Sequence, residues 1–303
     1  MLDEQTFIIT VYCQIDEIYW QLFPQGVRSR GFSPQLTDVE ALTIGIVGEY
    51  LALDGDKAIF EYFYKHYREW FPALRERTHL VRQWNNLWHV KKRIWQQLVH
   101  QSGAYRADFQ VIDTLPIPIC SLKRYKLRNI LVDDLLLQPD VGYCASKDFF
   151  YFGFKGGIRI AANGMIVHAD VLPARPHDIT LTDQLLVGCP AGTTILADKA
   201  FLSHQMQTNL KQEHALELLT PLKKGMQSSF LTLPKIARPI RQLIETVNGQ
   251  LVERFHIQKM RVRKGWTLLA KWYRKILSHT IFVYLNIQSG RDPLDFDGLV
   301  QPA

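Results

Sequence analysis

The stretch "FFYFGFKGGIRIAANGMIVHADVLPA", residues 149–174, constrains the fold more than any other. Two runs rich in aromatic and β-branched residues flank Asn163-Gly164, and that dipeptide between extended runs is the strongest short hairpin signal. A lone hairpin is marginal in water, so it needs a larger sheet. Upstream, "FQVIDTLPIPIC" offers a short β-branched run that ends in Asp113 and stops at a loop containing two prolines. Downstream, "TTILADKAF" is a second strand ending in an acid, Asp198, while "ITLTDQLLVG" and "SHQMQTNLKQEHAL" have helical character. The order strand, hairpin, helix, strand, helix, helix predicts an α/β domain: a mixed sheet flanked by helices, in which the non-hairpin strands need crossovers.

The first hundred residues have another texture. "LTDVEALTIGIVGEYLAL" opens with the capping-box pattern Thr37-x-x-Glu40 and continues with apolar residues at helical spacing. "AIFEYFYKHYREWF" and "VRQWNNLWHVKKRIWQQLVH" extend the helical pattern with aromatics and interleaved basic residues, which suit either a core or a nucleic-acid surface. The expected organisation is a helical N-terminal domain over 1–105, serving DNA binding, an α/β domain over 106–290 and a tail over 291–303. Cys13, Cys120, Cys144 and Cys189 are too dispersed for a disulfide framework or a zinc site. The start of the chain lacks a basic n-region, and no apolar run approaches about 18 residues. These features lead us to expect a soluble, cytoplasmic, nucleoid-associated protein with no membrane partner.

Charge narrows the function. The chain carries a formal net charge of +7, yet Pro221–His279 alone holds thirteen Lys or Arg against two acids. A concentrated excess of this kind is the footprint expected for a phosphate-backbone partner. One of the two acids is Glu245, on a predicted helix that Pro239 opens and whose buried stripe is Ile244, Val247, Leu251 and Phe255. At 100° per residue, Arg241, Glu245, Asn248 and Val252 share the margin beside that stripe. Asp113, Asp198 and Glu245 can therefore meet at one rim, where mutual repulsion is relieved by hard cations such as magnesium. Each acid also has a structural role open to it: Asp113 as a turn cap, Asp198 as an N-cap and Glu245 as the i,i+4 partner of Arg241. Asp133 and Asp134 read as solvent-face acids, Asp178 with its neighbour His177 as a turn or cap, and Asp170 as a strand-end reserve. Trp266, Trp272 and Tyr273 lie among the basic residues of a final helix whose cations suit phosphates.

"VIDTLPIPIC", "FYFGFKGGIRI", "LADKAF" and "RQLIETVNGQLVERF" resemble the successive motifs of the DDE transposases of bacterial insertion sequences, most closely insertion-sequence family nine-eight-two. The resemblance runs from "LTDVEALTIGIVGEYL" to "KWYRKILSH". It implies a ribonuclease H-like catalytic domain with Asp113, Asp198 and Glu245 as catalytic metal ligands for two Mg2+, with Mn2+ as substitute. It further implies cleavage at the element's inverted-repeat ends, strand transfer into target DNA, and a homodimer or higher assembly on double-stranded DNA. The Tyr that many relatives carry three residues before Arg241, and the Lys seven after the glutamate, are Arg238 and Val252 here. Phosphate contacts then fall to Arg241, Lys199, Lys259, Arg254, Arg261 and Arg263. A hydrolytic nuclease on the same fold, and a catalytically silent DNA-binding protein, are the alternative functions.

Overall fold

The computed structural model describes residues 1–301 except 29, 30, 32, 126–136, 145–147 and 223–231, so Asp133 and Asp134 lie outside the described residues. Two compact units are present: Met1–Gln101 together with Leu251–Ala303, and Ser102–Gln250. The first unit begins with α1 (Glu4–Leu22), α2 (Asp38–Tyr50), α3 (Gly55–His66), α4 (Arg77–Asn86) and α5 (Trp88–Ser102). The capping box forms as read: Glu40 N–H donates to Thr37 Oγ1 at 3.1 Å, and Thr37 N–H to the Glu40 carboxylate at 2.7 Å. Of the aromatics, Phe63, Trp84 and Trp95 are core residues, while Trp20 and Trp70 are exposed.

The second unit is built on β1 (Phe109–Cys120), α6 (Leu122–Tyr125), β2 (Asp140–Cys144), β3 (Phe149–Ala161), β4 (Ile166–Pro173), α7 (Thr182–Leu185), β5 (Thr194–Leu196), α8 (His204–His214), β6 (Glu217–Leu219) and α9 (Arg238–Glu253). Strand order is β2-β3-β1-β5-β6, and β4 also pairs with β3. The first three pairings with β3 are antiparallel, while β1–β5 and β5–β6 are parallel. This mixed sheet with helices, following a helical N-terminal region, is consistent with a ribonuclease H-like α/β fold. The Asn-Gly hairpin joins β3 to β4 as predicted, with Gly164 at φ +82° and Asn163 Oδ1 accepting from Met165 N–H at 3.1 Å. Gly157 in β3 is needed for close packing: a Cβ there would run into the side chains of Leu172 and Leu185.

Two sequence expectations need correction. β1 does not stop at Asp113 but runs through both prolines to Cys120. Its other neighbour, β5, ends opposite Val111, whereas β3 continues alongside. Prolines two residues apart remove N–H groups on one side of a strand only, and a strand with an open edge tolerates that. The segment "ITLTDQLLVG" forms a 3-10 turn, Asp178–Leu181, and the single helical turn α7. Leu181 and Leu185 anchor it in a core shared with Ile112, Ile195, Phe201 and Leu218. β2 and β6 add strands that the sequence reading omitted.

The chain re-enters the first unit at Leu251, and α10 (Gly265–Gln288) is its last helix. Trp272 and Tyr273 are buried, and Trp266 is exposed. Arg274 and Lys275, expected to face phosphates, are buried instead: Arg274 Nε and Lys275 Nζ donate to Glu49 at 2.7 and 2.9 Å. Arg274 and Lys271 also hold Asp56, at 3.0 and 3.2 Å. These cations are consumed in packing α10 against α2 and α3.

Candidate active site

Parallel pairing of β1 with β5 aligns Val111 with Leu196. Asp113 lies two residues further along β1, and Asp198 lies two residues past the end of β5, close enough for its charge to act on Asp113. Asp113 is part-buried, and its two oxygens accept from Thr114 N–H and from Asn248 Nδ2, both at 2.8 Å. Asp198 caps the 3-10 turn Lys199–Phe201, accepting from Ala200 N–H at 2.6 Å. The capping role open to Asp198 is thus filled, and its carboxylate still acts on Asp113.

Burial pushes the Asp113 carboxyl up to about 7; the charges of Asp198 and Asp178 push the same way, against the hydrogen bonds from Thr114 and Asn248. Asp198 is raised too, by burial first and then by Asp178, while the Ala200 N–H, Arg241 and Lys199 pull it down. Burial and carboxylate neighbours thus act together on Asp113, while at Asp198 the charges of Arg241 and Lys199 oppose that of Asp178. Asp178 is the member of this group that the sequence reading left as a turn or cap. Its Oδ1 receives Thr114 Oγ1 and Lys155 Nζ, both at 2.8 Å, so a cation already serves it. Nothing in "RPHDIT" signals this, because the contact depends on β1 and β3 lying side by side.

Ile244 and Val247 seat α9, as their spacing predicted. Asn248, on the flank assigned to it, is the residue that reaches Asp113. Glu245 lies one turn earlier on that flank; its side chain is 64% exposed and pairs with Arg241 at 3.0 Å. The structure thus brings Asp113 and Asp198 together and leaves Glu245 with Arg241. Among the described residues, no three His, Cys, Asp or Glu side chains form a ready-made metal-ligand group. The donor chemistry nonetheless fits a hard cation. The adjoining oxygens carry excess negative charge, and Asn248 Oδ1 is buried without a hydrogen-bond partner beside Asp113.

A cleft of about 490 Å3, which begins at Lys199 next to Asp198 in the chain, is lined by Lys199, Arg238, Arg241 and Gln242, with no acid among its described lining residues. Lys199 is exposed at its edge. The remaining basic residues singled out from the sequence lie beyond α9. Lys259, Arg261 and Arg263 are exposed and alternate with buried Met260 and Val262, which orients the three toward solvent. Arg254 is engaged internally, bonded to the Tyr50 carbonyl at 2.9 Å and paired with Asp297. Asp170, the reserve acid, sits inside β4 opposite Gly157.

Among the described residues, no helix is long and apolar enough to cross a membrane. Comparison with known proteins bears on this geometry. The transposase for insertion sequence element IS1106 of Neisseria meningitidis serogroup B is 31% identical over 80 residues, 26% of this chain and 27% of that protein. The match therefore spans about a quarter of that relative's length. No solved structure matches the chain. A family model described as "Transposase DDE domain" matches residues 104–265, a span that takes in β1, β5, α9 and every acid of the site. With more than half of its length matched, the chain belongs to the transposase DDE domain family.

Proposed function

We propose that this protein is a transposase of insertion-sequence family nine-eight-two that cuts DNA at the inverted-repeat ends of its own element and joins the freed ends to target DNA. The observation that carries this reading is the pair Asp113, on β1, and Asp198, just past the end of the adjoining parallel strand β5, both raised in pKa and with a basic cleft starting at Lys199. Asp113, Asp198 and Glu245 are the proposed catalytic residues and the holders of two Mg2+, for which Mn2+ substitutes. Bound there, such cations would supply the positive charge that activates an attacking oxygen and stabilises a leaving one.

The chain's own groups do the rest. Asn248 fixes the orientation of the Asp113 carboxylate. Lys199, Arg238 and Arg241 seat the phosphates flanking the scissile bond, and Arg241 releases Glu245 toward the two aspartates as it engages DNA. Cleavage forms a bond from a water oxygen to phosphorus and breaks the bond to the 3′-oxygen, which leaves as a hydroxyl. Joining uses that 3′-hydroxyl as the attacking group on a target phosphodiester, forming a new 3′-oxygen-to-phosphorus bond as the target's own bond to its 3′-oxygen breaks and that oxygen leaves as a hydroxyl, so both steps are phosphoryl transfers at one site. Lys259, Arg261 and Arg263 would add phosphate contacts that raise affinity without reading sequence. Two ends handled together require a dimer or higher assembly on DNA, with the helical N-terminal region contributing to end binding.

The test uses a supercoiled plasmid carrying the DNA that flanks the coding sequence. Wild type with Mg2+ should nick and join, and EDTA should stop both. Asp113→Asn should bind and do neither, losing two or more orders of magnitude in rate, about the cost of removing one charge-stabilising group. Cleavage without any joined product would favour the hydrolytic nuclease, and undiminished cleavage by Asp113→Asn would refute the site.

A further inference from the structure

Helix α4 is anchored by one face and exposed on the other. Trp84 Nε1 donates to the Ala41 carbonyl at 2.6 Å, and Gln83 Nε2 donates to the Leu36 carbonyl and to Asp38 at 3.0 and 2.7 Å. Leu80 and Leu87 are buried on the same side. The opposite face carries Arg77, Thr78, His79, Arg82 and Asn86, all exposed, and "RTHLVRQWNN" contains no acid. No carboxylate pairs with Arg77 or Arg82 among the described residues.

A cleft borders α4 on each side. One, of about 780 Å3, includes Arg75 and His79, with one acid, Glu76, 3.7 Å from His79; the other, of about 570 Å3, includes Arg77, Lys264 and Trp266. Arg82 and Asn86 line both, which places them on the crest between the clefts. Lys264 stacks over the exposed Trp266 ring at 4.7 Å, holding an ammonium at the second cleft's wall. Asp56, the acid in that cleft, is already neutralised by Arg274 and Lys271. A helical ridge with a basic cleft on either flank complements a B-DNA major groove about 12 Å wide and its two bordering phosphate strands. The crest residues are also of the reading type, since Arg forks onto guanine and Asn onto adenine.

We infer that α4 enters the major groove of duplex DNA and reads base edges with Arg82 and Asn86, while Arg75, Arg77 and Lys264 take the flanking phosphates. The inference rests on the transposase reading, which supplies the DNA, and goes beyond it by assigning where sequence is read. Fluorescence anisotropy of the full chain in EDTA would compare a duplex from the DNA flanking the coding sequence with a scrambled duplex of equal composition. Arg82→Ala and Asn86→Ala should each lower the preference for the flanking duplex by about tenfold and leave the salt dependence unchanged. Lys264→Ala should weaken both duplexes alike and reduce the log–log salt slope by about one. Lys57→Ala, which removes a charge from α3, should change neither.

Arg82→Lys keeps the charge but not the fork, so it should bind scrambled DNA normally and still lose preference, which guards against a folding defect in the alanine variant. Preference retained within twofold by both crest variants would overturn the assignment, and so would a wild type with no preference. In the latter case metal-dependent plasmid nicking, which needs no end recognition, decides separately whether the transposase reading stands.

Discussion

Two groups of buried acids in this protein face opposite surroundings. In the first unit, burial alone would raise Glu49, but Lys275 and Arg274 hold it below its ordinary value; Asp56 is drawn down to about 2 in the same way by Arg274 and Lys271, against its own burial. In the second unit, burial raises Asp113 to about 7 and raises Asp198 as well, and neighbouring carboxylates push the same way where cations held Glu49 and Asp56 down. Withdrawal from water is common to both; the partners differ. The Glu49 cluster is complete as it stands and serves structure. Among the described residues, Asp113 has no cation bonded to it and accepts only from neutral donors, which suits the proposed role of a site that takes up its cation from solution.

The comparison makes the same substitution, a carboxylate changed to an amide, act with opposite signs. Glu49→Gln should destabilise by about 3–5 kcal/mol, because Lys275 would then be buried without a counter-charge and Arg274 would keep only Asp56. Urea denaturation checks this, and a loss below about 1 kcal/mol would break the comparison at its structural end. Asp113→Asn, without divalent cation, should stabilise. The folded pKa of Asp113 lies above its unfolded value, so the stability linked to it is full at low pH and is lost as pH rises from about 4 to about 7. The variant's unfolding free energy should match wild type near pH 4 and exceed it at pH 8 by an amount on the order of 2–4 kcal/mol. Added Mg2+ should shrink that gap by stabilising wild type alone. A smaller effect is expected at Asn248. Its replacement by Ala removes the amide that orients Asp113, and cleavage should fall about 10–100-fold with little change in melting midpoint.

Much of this was legible in the sequence where local chemistry decides the outcome. The Thr37–Glu40 box, the Asn163-Gly164 hairpin and the buried stripe of α9 each follow from residues a few positions apart. The flank shared by Glu245 and Asn248 also follows from helical geometry alone. Long-range pairing was harder to see. β6 is three residues long, too short to show a period, and is defined by its parallel alignment with β5. β1 reads as ending at its prolines because the open edge that accommodates them is a property of the assembled sheet. Arg274 and Lys275 read as DNA-facing because a count of cations does not reveal that Glu49, more than 200 residues away, lies against them. Asp178 escaped for the same reason, since its neighbours Thr114 and Lys155 belong to two other strands.

Glu245 is the residue on which the account turns, because it stands on the correct flank of α9 yet rests against Arg241. The most direct measurement compares wild type with Glu245→Gln for nicking and end joining on the supercoiled plasmid, at low salt with Mg2+ or Mn2+, alongside DNA binding. The account predicts that the variant binds the plasmid as wild type does and forms neither nicked nor joined product. A Glu245→Gln protein as active as wild type would leave Glu245 a surface partner of Arg241 and contradict its place beside Asp113 and Asp198.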